Sequence, residues 1–191
     1  VAGMPLRIFV VPAGLLGAAL GVAVTFRPYV ADRILAFRDP WAHAGDEGFQ
    51  LVQSFIAFAR GGLFGIGLGD GRQKLYYLPE AHTDFLLAVI AEELGFVGVA
   101  AIIAAFTWIV TRAFMIGRRA ASLERCFSAL VAQGIGLWIG VQAIINIGVN
   151  TGMLPTKGLT LPLMSYGGSS IIATLAAFGL ILNVRMRRFT N

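Results

Sequence analysis

The chain has 191 residues, 57% hydrophobic and 13% charged, where an ordinary soluble domain is about 25% charged. With 24 glycines and a formal charge of +5, that composition excludes a soluble globular enzyme and suits helices packed in lipid. One cysteine, Cys126, and two histidines 39 positions apart exclude a disulfide framework and a zinc site, and arginines placed at the ends of apolar runs speak against nucleic acid as a partner.

Residues 8–26, between Arg7 and Arg27, form a 19-residue charge-free run that crosses a hydrocarbon core at about 1.5 Å per residue, with Pro12 as a tolerated kink. A run of that length behind a first residue Val1, with no cleavage site after it, reads as an internal start rather than a secretory signal. Residues 27–84 contain no charge-free run of spanning length and read as a large external loop. Within the loop Phe49, Val52, Phe55, Ile56 and Ala59 recur at helical spacing, which predicts a helix lying in the membrane interface. Gly61, Gly62, Gly65, Gly67, Gly69 and Gly71 follow with no strand before them and no Gly-Lys-Ser/Thr after them, so they form no nucleotide loop and read as a flexible turn.

A second span is predicted over about 85–111, interrupted by Glu92 and Glu93, and a basic connection over 112–125 carries Arg112, Arg118, Arg119 and Arg125. From Cys126 to Val184 the only charge in 59 positions is Lys157, and Gly152, Pro155, Gly158 and Pro162 divide that stretch into spans near 127–150 and 167–184. Arg185, Arg187 and Arg188 close the chain. The two basic segments lie an even number of crossings apart, so the positive-inside rule places both, and the C-terminus, in the cytoplasm. The 27–84 and 151–166 loops then share the outer face. The expected fold class is an all-α integral membrane protein of about four transmembrane helices.

The outer loops hold the unusual chemistry. In Tyr76-Tyr77-Leu78-Pro79-Glu80-Ala81-His82-Thr83-Asp84-Phe85, Thr83 suits a helix N-cap, Asp84 a first helical turn and His82 an ordered interface position. The functional alternative is that Asp84, desolvated at a lipid–water boundary, serves as a general base. Glu92 and Glu93 either find partners on another helix or face a cavity. Lys157 is either a snorkelling lysine or a fixed ammonium for an anionic group such as a lipid phosphate. Ser165, with Tyr166, Gly167, Gly168, Ser169 and Ser170, either donates hydrogen bonds to a ligand or caps and packs the last helix. Cys126 has no activating neighbour in the sequence and reads as a packed or interfacial thiol.

Two stretches, GLGDGRQKLYYLPEAHTDFLLAVIAEELGFVG (67–98) and GMLPTKGLTLPLMSYGGSS (152–170), resemble signatures of the SEDS family of membrane proteins (shape, elongation, division and sporulation). The resemblance extends over nearly the whole chain, and the wording around Lys157 is closer to the family's division member than to its rod-shape member. It implies that residues 1–191 are the C-terminal part of a single ten-helix membrane domain in the bacterial inner membrane, helices seven to ten. It also implies an inverting glycosyltransferase that polymerises lipid II, the undecaprenyl-diphosphate-linked peptidoglycan precursor, during septal wall synthesis. In that reading Asp84 of the HTDF motif is the catalytic base and Lys157 of PTKG stabilises diphosphate charge. Glu80, His82 and Ser165 are substrate-binding candidates. The expected cofactor is a divalent cation, Mg or Mn, with no organic cofactor. A class B penicillin-binding transpeptidase and other division proteins are the implied partners. Helices before Val1 would complete the cavity, so these residues alone are expected to be inactive. Tyr76 stands where some relatives carry an acid. A lipid II flippase and a scaffold of the division machinery are the alternative functions.

Overall fold

A computed structural model describes residues 10–12, 14–15, 17–19, 28–46, 48–73, 78 and 82–186. The predicted first span, 8–26, lies largely outside them, as do Glu80, Tyr76, Arg187 and Arg188. The described residues form helices α1 (Pro28–Arg38), α2 (Phe49–Gly61), α3 (Leu86–Ser122), α4 (Cys126–Asn150) and α5 (Gly168–Met186), with no strand among them. The chain divides into two units, residues 1–49 and 50–191. In the first unit α1 gives way to a run of turns in which Asp39 Oδ1 accepts the Ala42 N–H at 3.1 Å and the His43 carbonyl accepts the Gly48 N–H at 3.0 Å.

In the second unit α3, α4 and α5 are each long and apolar enough to cross a membrane. Their buried seam is built of small residues: Ala113, Gly117 and Ala120 on α3, and Ala129, Ala132, Gly136 and Ala143 on α4. A Cβ on Gly136 would stand 2.8 Å from the Ala113 methyl, so the two backbones approach as closely as small side chains permit. Nearer the motif loops larger groups take over, and Phe106, Ile139, Ala143 and Leu161 form one buried cluster while Ala57, Leu78, Phe85, Ala88, Val89 and Val149 form another.

The structure corrects two expectations. The helix predicted to stop at 111 continues to Ser122, so that Leu86–Ser122 holds 37 residues in all. Arg112, Arg118 and Arg119 therefore ride on α3, and the connection to α4 shrinks to Leu123, Glu124 and Arg125. On α2, of the stripe at 49, 52, 55, 56 and 59 only Val52 is buried, while Leu51, Ser54, Ala57 and Gly61 turn inward with it. Ala57 packs with Ala88, Val89 and Val149, so α2 uses its inner face against α3 and α4.

The second correction concerns the glycine run, which is docked rather than flexible. At Gly95, with φ 66° and ψ −164°, α3 breaks, leaving the carbonyls of one half and the N–H groups of the next without intrahelical partners. Residues 62–67 fill the break with main chain. Ile66 and Gly67 donate their N–H groups to the Glu92 and Glu93 carbonyls at 3.0 and 3.1 Å, and the Gly62 and Leu63 carbonyls accept the Phe96 and Val97 N–H groups at 2.9 and 3.2 Å. A Cβ on Gly65 would overlap the Glu93 carbonyl, and one on Gly95 would overlap the Leu63 carbonyl. Both positions also have positive φ, which glycine adopts without steric cost.

Candidate functional site

Asp84 sits in a turn immediately before α3. The helix has Phe85 at its N-cap with no side-chain cap bond from that residue, so Thr83 and Asp84 both lie ahead of the first helical turn. Phe85 is among the largest fully buried side chains and anchors the turn in apolar surroundings, while Asp84 stays half-buried. The missing cap is supplied from α4. Asn150 accepts the Ala88 N–H on Oδ1 at 3.1 Å and donates from Nδ2 to the Asp84 carbonyl at 2.9 Å. Its carboxamide thus stands where a peptide group would close the helical ladder between residues 84 and 88. One turn earlier Asn146 donates to the same Asp84 carbonyl at 2.9 Å and to the Leu159 carbonyl at 2.6 Å. Another turn earlier Gln142 donates to the Thr160 carbonyl at 2.9 Å.

Gln142, Asn146 and Asn150 therefore form one polar stripe at a spacing of four that grips the 84–88 turn and the 159–160 strip together. Ser54 on α2 closes the set by donating to the Asn150 carbonyl at 2.7 Å. Gln142, Asn146 and Asn150 were not singled out from the sequence. The available signal was three amides at helical spacing in an otherwise apolar span, which cannot face lipid without cost.

The loop after α4 completes the arrangement. The Tyr166 N–H donates to the His82 carbonyl at 2.8 Å, tying the loop to the segment before Asp84. A Cβ built on Gly158 would lie 3.0 Å from Asp84 Oδ2, so the PTKG backbone passes directly against the carboxylate. Lys157, the neighbouring residue, is exposed, as is His82. The structure thus brings Asp84 together with the Lys157–Gly158 segment and His82, whereas Glu80 lies outside the described residues. Ser165 is 1% exposed and its Oγ accepts the Leu161 N–H at 2.8 Å, so its hydroxyl closes a buried turn rather than facing a ligand. Ser170 pairs with Thr160 at 3.1 Å at the start of α5.

Glu92 takes the partner-on-another-helix alternative. It is 0% exposed, meets Arg60 of α2 at 3.2 Å and accepts the Gln73 N–H at 3.1 Å. Glu93 is half-buried with its carboxylate beside Gly71. Among the described residues no group of three or more His, Cys, Asp or Glu side chains gathers, and the donors beside Asp84 do not by themselves fit a divalent-cation site.

Two loops separated by some 70 residues thus meet through main-chain and amide bonds, with the Asp84 carboxylate against Gly158 and the exposed Lys157 next to it in sequence. A family model for the cell cycle proteins FtsW, RodA and SpoVE matches residues 1–189. The chain belongs to this family. As in other FtsW/RodA/SpoVE proteins, its long apolar helices make it a membrane protein. It is 56% identical over 182 residues to a probable peptidoglycan glycosyltransferase FtsW of Aromatoleum aromaticum, covering 95% of this chain and 44% of that protein. A protein of the same description from Coxiella burnetii is 52% identical over 183 residues, covering 96% of this chain and 49% of that one. Among solved structures, a chain of a peptidoglycan synthase complex described as coordinating polymerization and crosslinking is 37% identical with a TM-score of 0.70, covering 99% of this chain and 52% of that one. The Thermus thermophilus rod shape determining protein RodA, as its D255A mutant, is 29% identical with a TM-score of 0.55, covering 98% of this chain and 60% of that one. The chain spans less than half the length of these two curated FtsW relatives.

Proposed function

We propose that the chain forms part of an inverting peptidoglycan glycosyltransferase that polymerises lipid II during septal wall synthesis, with Asp84 as the general base. The observation that carries this reading is the close passage of the Lys157–Gly158 backbone along the Asp84 carboxylate. It puts a proton acceptor and an exposed cation at one end of the helices, as a lipid-linked diphosphate donor and a sugar acceptor require. The names of relatives more than 50% identical to the chain support the same activity.

In this reading the 4-hydroxyl of the acceptor sugar attacks the anomeric carbon of the donor as Asp84 takes the hydroxyl proton. The anomeric C–O bond to the lipid diphosphate breaks, the configuration inverts, and Lys157 balances charge on the leaving diphosphate. Asn146 and Asn150 hold the Asp84 main chain, so the carboxylate is aimed by a rigid helix rather than by its own loop. A divalent cation remains part of the proposal only as a group bound with help from outside the described residues, and no step is routed through it.

The motif loops belong to the outer face of the inner membrane and the C-terminus to the cytoplasm, supported by the arginines at the far end of α3 and α5. A class B penicillin-binding transpeptidase is the proposed partner, supported by the likeness to the peptidoglycan synthase complex. The test is polymerisation of fluorescent lipid II by the full-length protein copurified with its transpeptidase, comparing wild type with Asp84→Asn. Glycan product is expected to fall by roughly 10²–10⁴ while lipid II binding persists. Undiminished product would overturn the general-base assignment and favour transport or scaffolding.

A further inference from the structure

At the end of the bundle away from Asp84, α3, the turn after it and α5 line a pocket of about 100 Å³ whose lining includes Arg112, Arg119, Arg125 and Arg185. Arg112 and Arg119 come from the end of α3 and Arg185 from the end of α5, and among the described residues no carboxylate lines the pocket with these three. Glu124, in the same turn, is exposed and lies outside the lining. Arg112, Arg119 and Arg185 are each exposed, so the pocket opens to the surface. Here Arg112 and Arg119 are two turns apart on one face of α3, and Met115 and Val184 give the pocket an apolar wall. Arg112 also lies over the Trp108 ring, 5.8 Å from its centroid, and an exposed tryptophan marks interfacial depth.

We propose that this pocket binds the phosphate of an anionic phospholipid, held by the guanidiniums with its acyl chains running along the apolar wall. A guanidinium matches phosphate oxygens with paired N–H donors, which is why arginine rather than lysine suits such a site. The shared chemistry is a phosphate anion at headgroup depth, and the apolar wall favours a lipid source over a free ion. The site does not depend on the glycosyltransferase reading, since it lies at the opposite end of the helices.

The test uses the full-length protein in detergent micelles titrated with pyrene-labelled phosphatidylglycerol, phosphatidylcholine and, as competitor, inorganic phosphate. Phosphatidylglycerol is expected to bind at least tenfold more tightly than phosphatidylcholine. Arg112→Gln, Arg119→Gln and Arg185→Gln should each weaken it about fivefold, at about 1 kcal/mol per arginine near a surface. Arg118→Gln is the control, because Arg118 is exposed on the same helix, about 100° from Arg119, and does not line the pocket. Equal binding of the two lipids, or an equal loss on Arg118→Gln, would overturn the proposal in favour of general surface charge. Complete displacement by millimolar inorganic phosphate would overturn the lipid assignment. Single variants that keep wild-type helical circular dichroism exclude misfolding as the cause of any loss.

Discussion

Replacing Asn146 and Asn150 together by leucine is expected to cost more than the two single replacements added. Asn150→Leu removes bonds to the Asp84 carbonyl (2.9 Å), the Asn146 carbonyl (2.9 Å) and the Ala88 N–H (3.1 Å). At about 0.6 kcal/mol for each such bond within a membrane, the loss is about 2 kcal/mol. It is no larger because nothing is orphaned: Ala88 still donates to the Phe85 carbonyl at 3.0 Å, and Asp84 still receives Asn146. Asn146→Leu removes two bonds to carbonyls, those of Asp84 and Leu159, and costs about 1 kcal/mol before its side-chain contact with Asn150 is counted. In the double variant the Asp84 carbonyl loses both amide donors that α4 supplies. A part-buried carbonyl left so adds about 1–2 kcal/mol. The direct Asn150–Asn146 side-chain contact at 3.3 Å is lost in both single variants and offsets about 0.5 kcal/mol of that. The expected coupling is therefore about 1 kcal/mol, with the double variant worse than additive. The assay is the unfolding free energy of all four proteins in mixed micelles, followed by circular dichroism. Additivity within about 0.3 kcal/mol would refute the idea that the two amides share one carbonyl.

Gly65→Ala forces a methyl against the Glu93 carbonyl at a positive φ, and should destabilise by at least about 2 kcal/mol. Hydrogen exchange at Phe96 and Val97, whose N–H groups the loop satisfies, should rise selectively; unchanged protection there would count against the docked loop. Arg60→Gln strips the ionic partner from the fully buried Glu92 and is expected to cost more than Glu92→Gln, which removes charge and partner demand together. Because Arg60 is 38% exposed and its charge is screened, the loss should be about 1–2 kcal/mol rather than the 3–5 of a fully buried pair, read by the same unfolding measurement.

The sequence exposes the membrane helices because charge-free length is a local property, and it shows that the segments before α3 and after α4 hold the polar chemistry. It hides the end of α3, since hydropathy falls where the helix leaves the lipid although nothing in residues 112–122 breaks a helix. It hides the break at Gly95 for the opposite reason: Leu94-Gly95-Phe96-Val97 is apolar and carries no proline, and the interruption exists because residues 62–67 bind there. Asp84 and Lys157 are visible as isolated charges beside spans. Asn146 and Asn150, which hold the Asp84 turn, sit within a span and show their role only through partners 62 and 66 residues away.

The mended break in α3 also bears on how this stretch tolerates substitution. The four bonds across the break are made by main chain, so they constrain shape and leave most side chains at liberty. Leu63, Phe64 and Leu68 point outward, with Phe64 82% exposed. Their identities can drift without disturbing the junction, while Gly65 and Gly95 cannot. The outer surface of the loop is thus a place where two related chains can acquire different external partners while keeping the same joint beneath it.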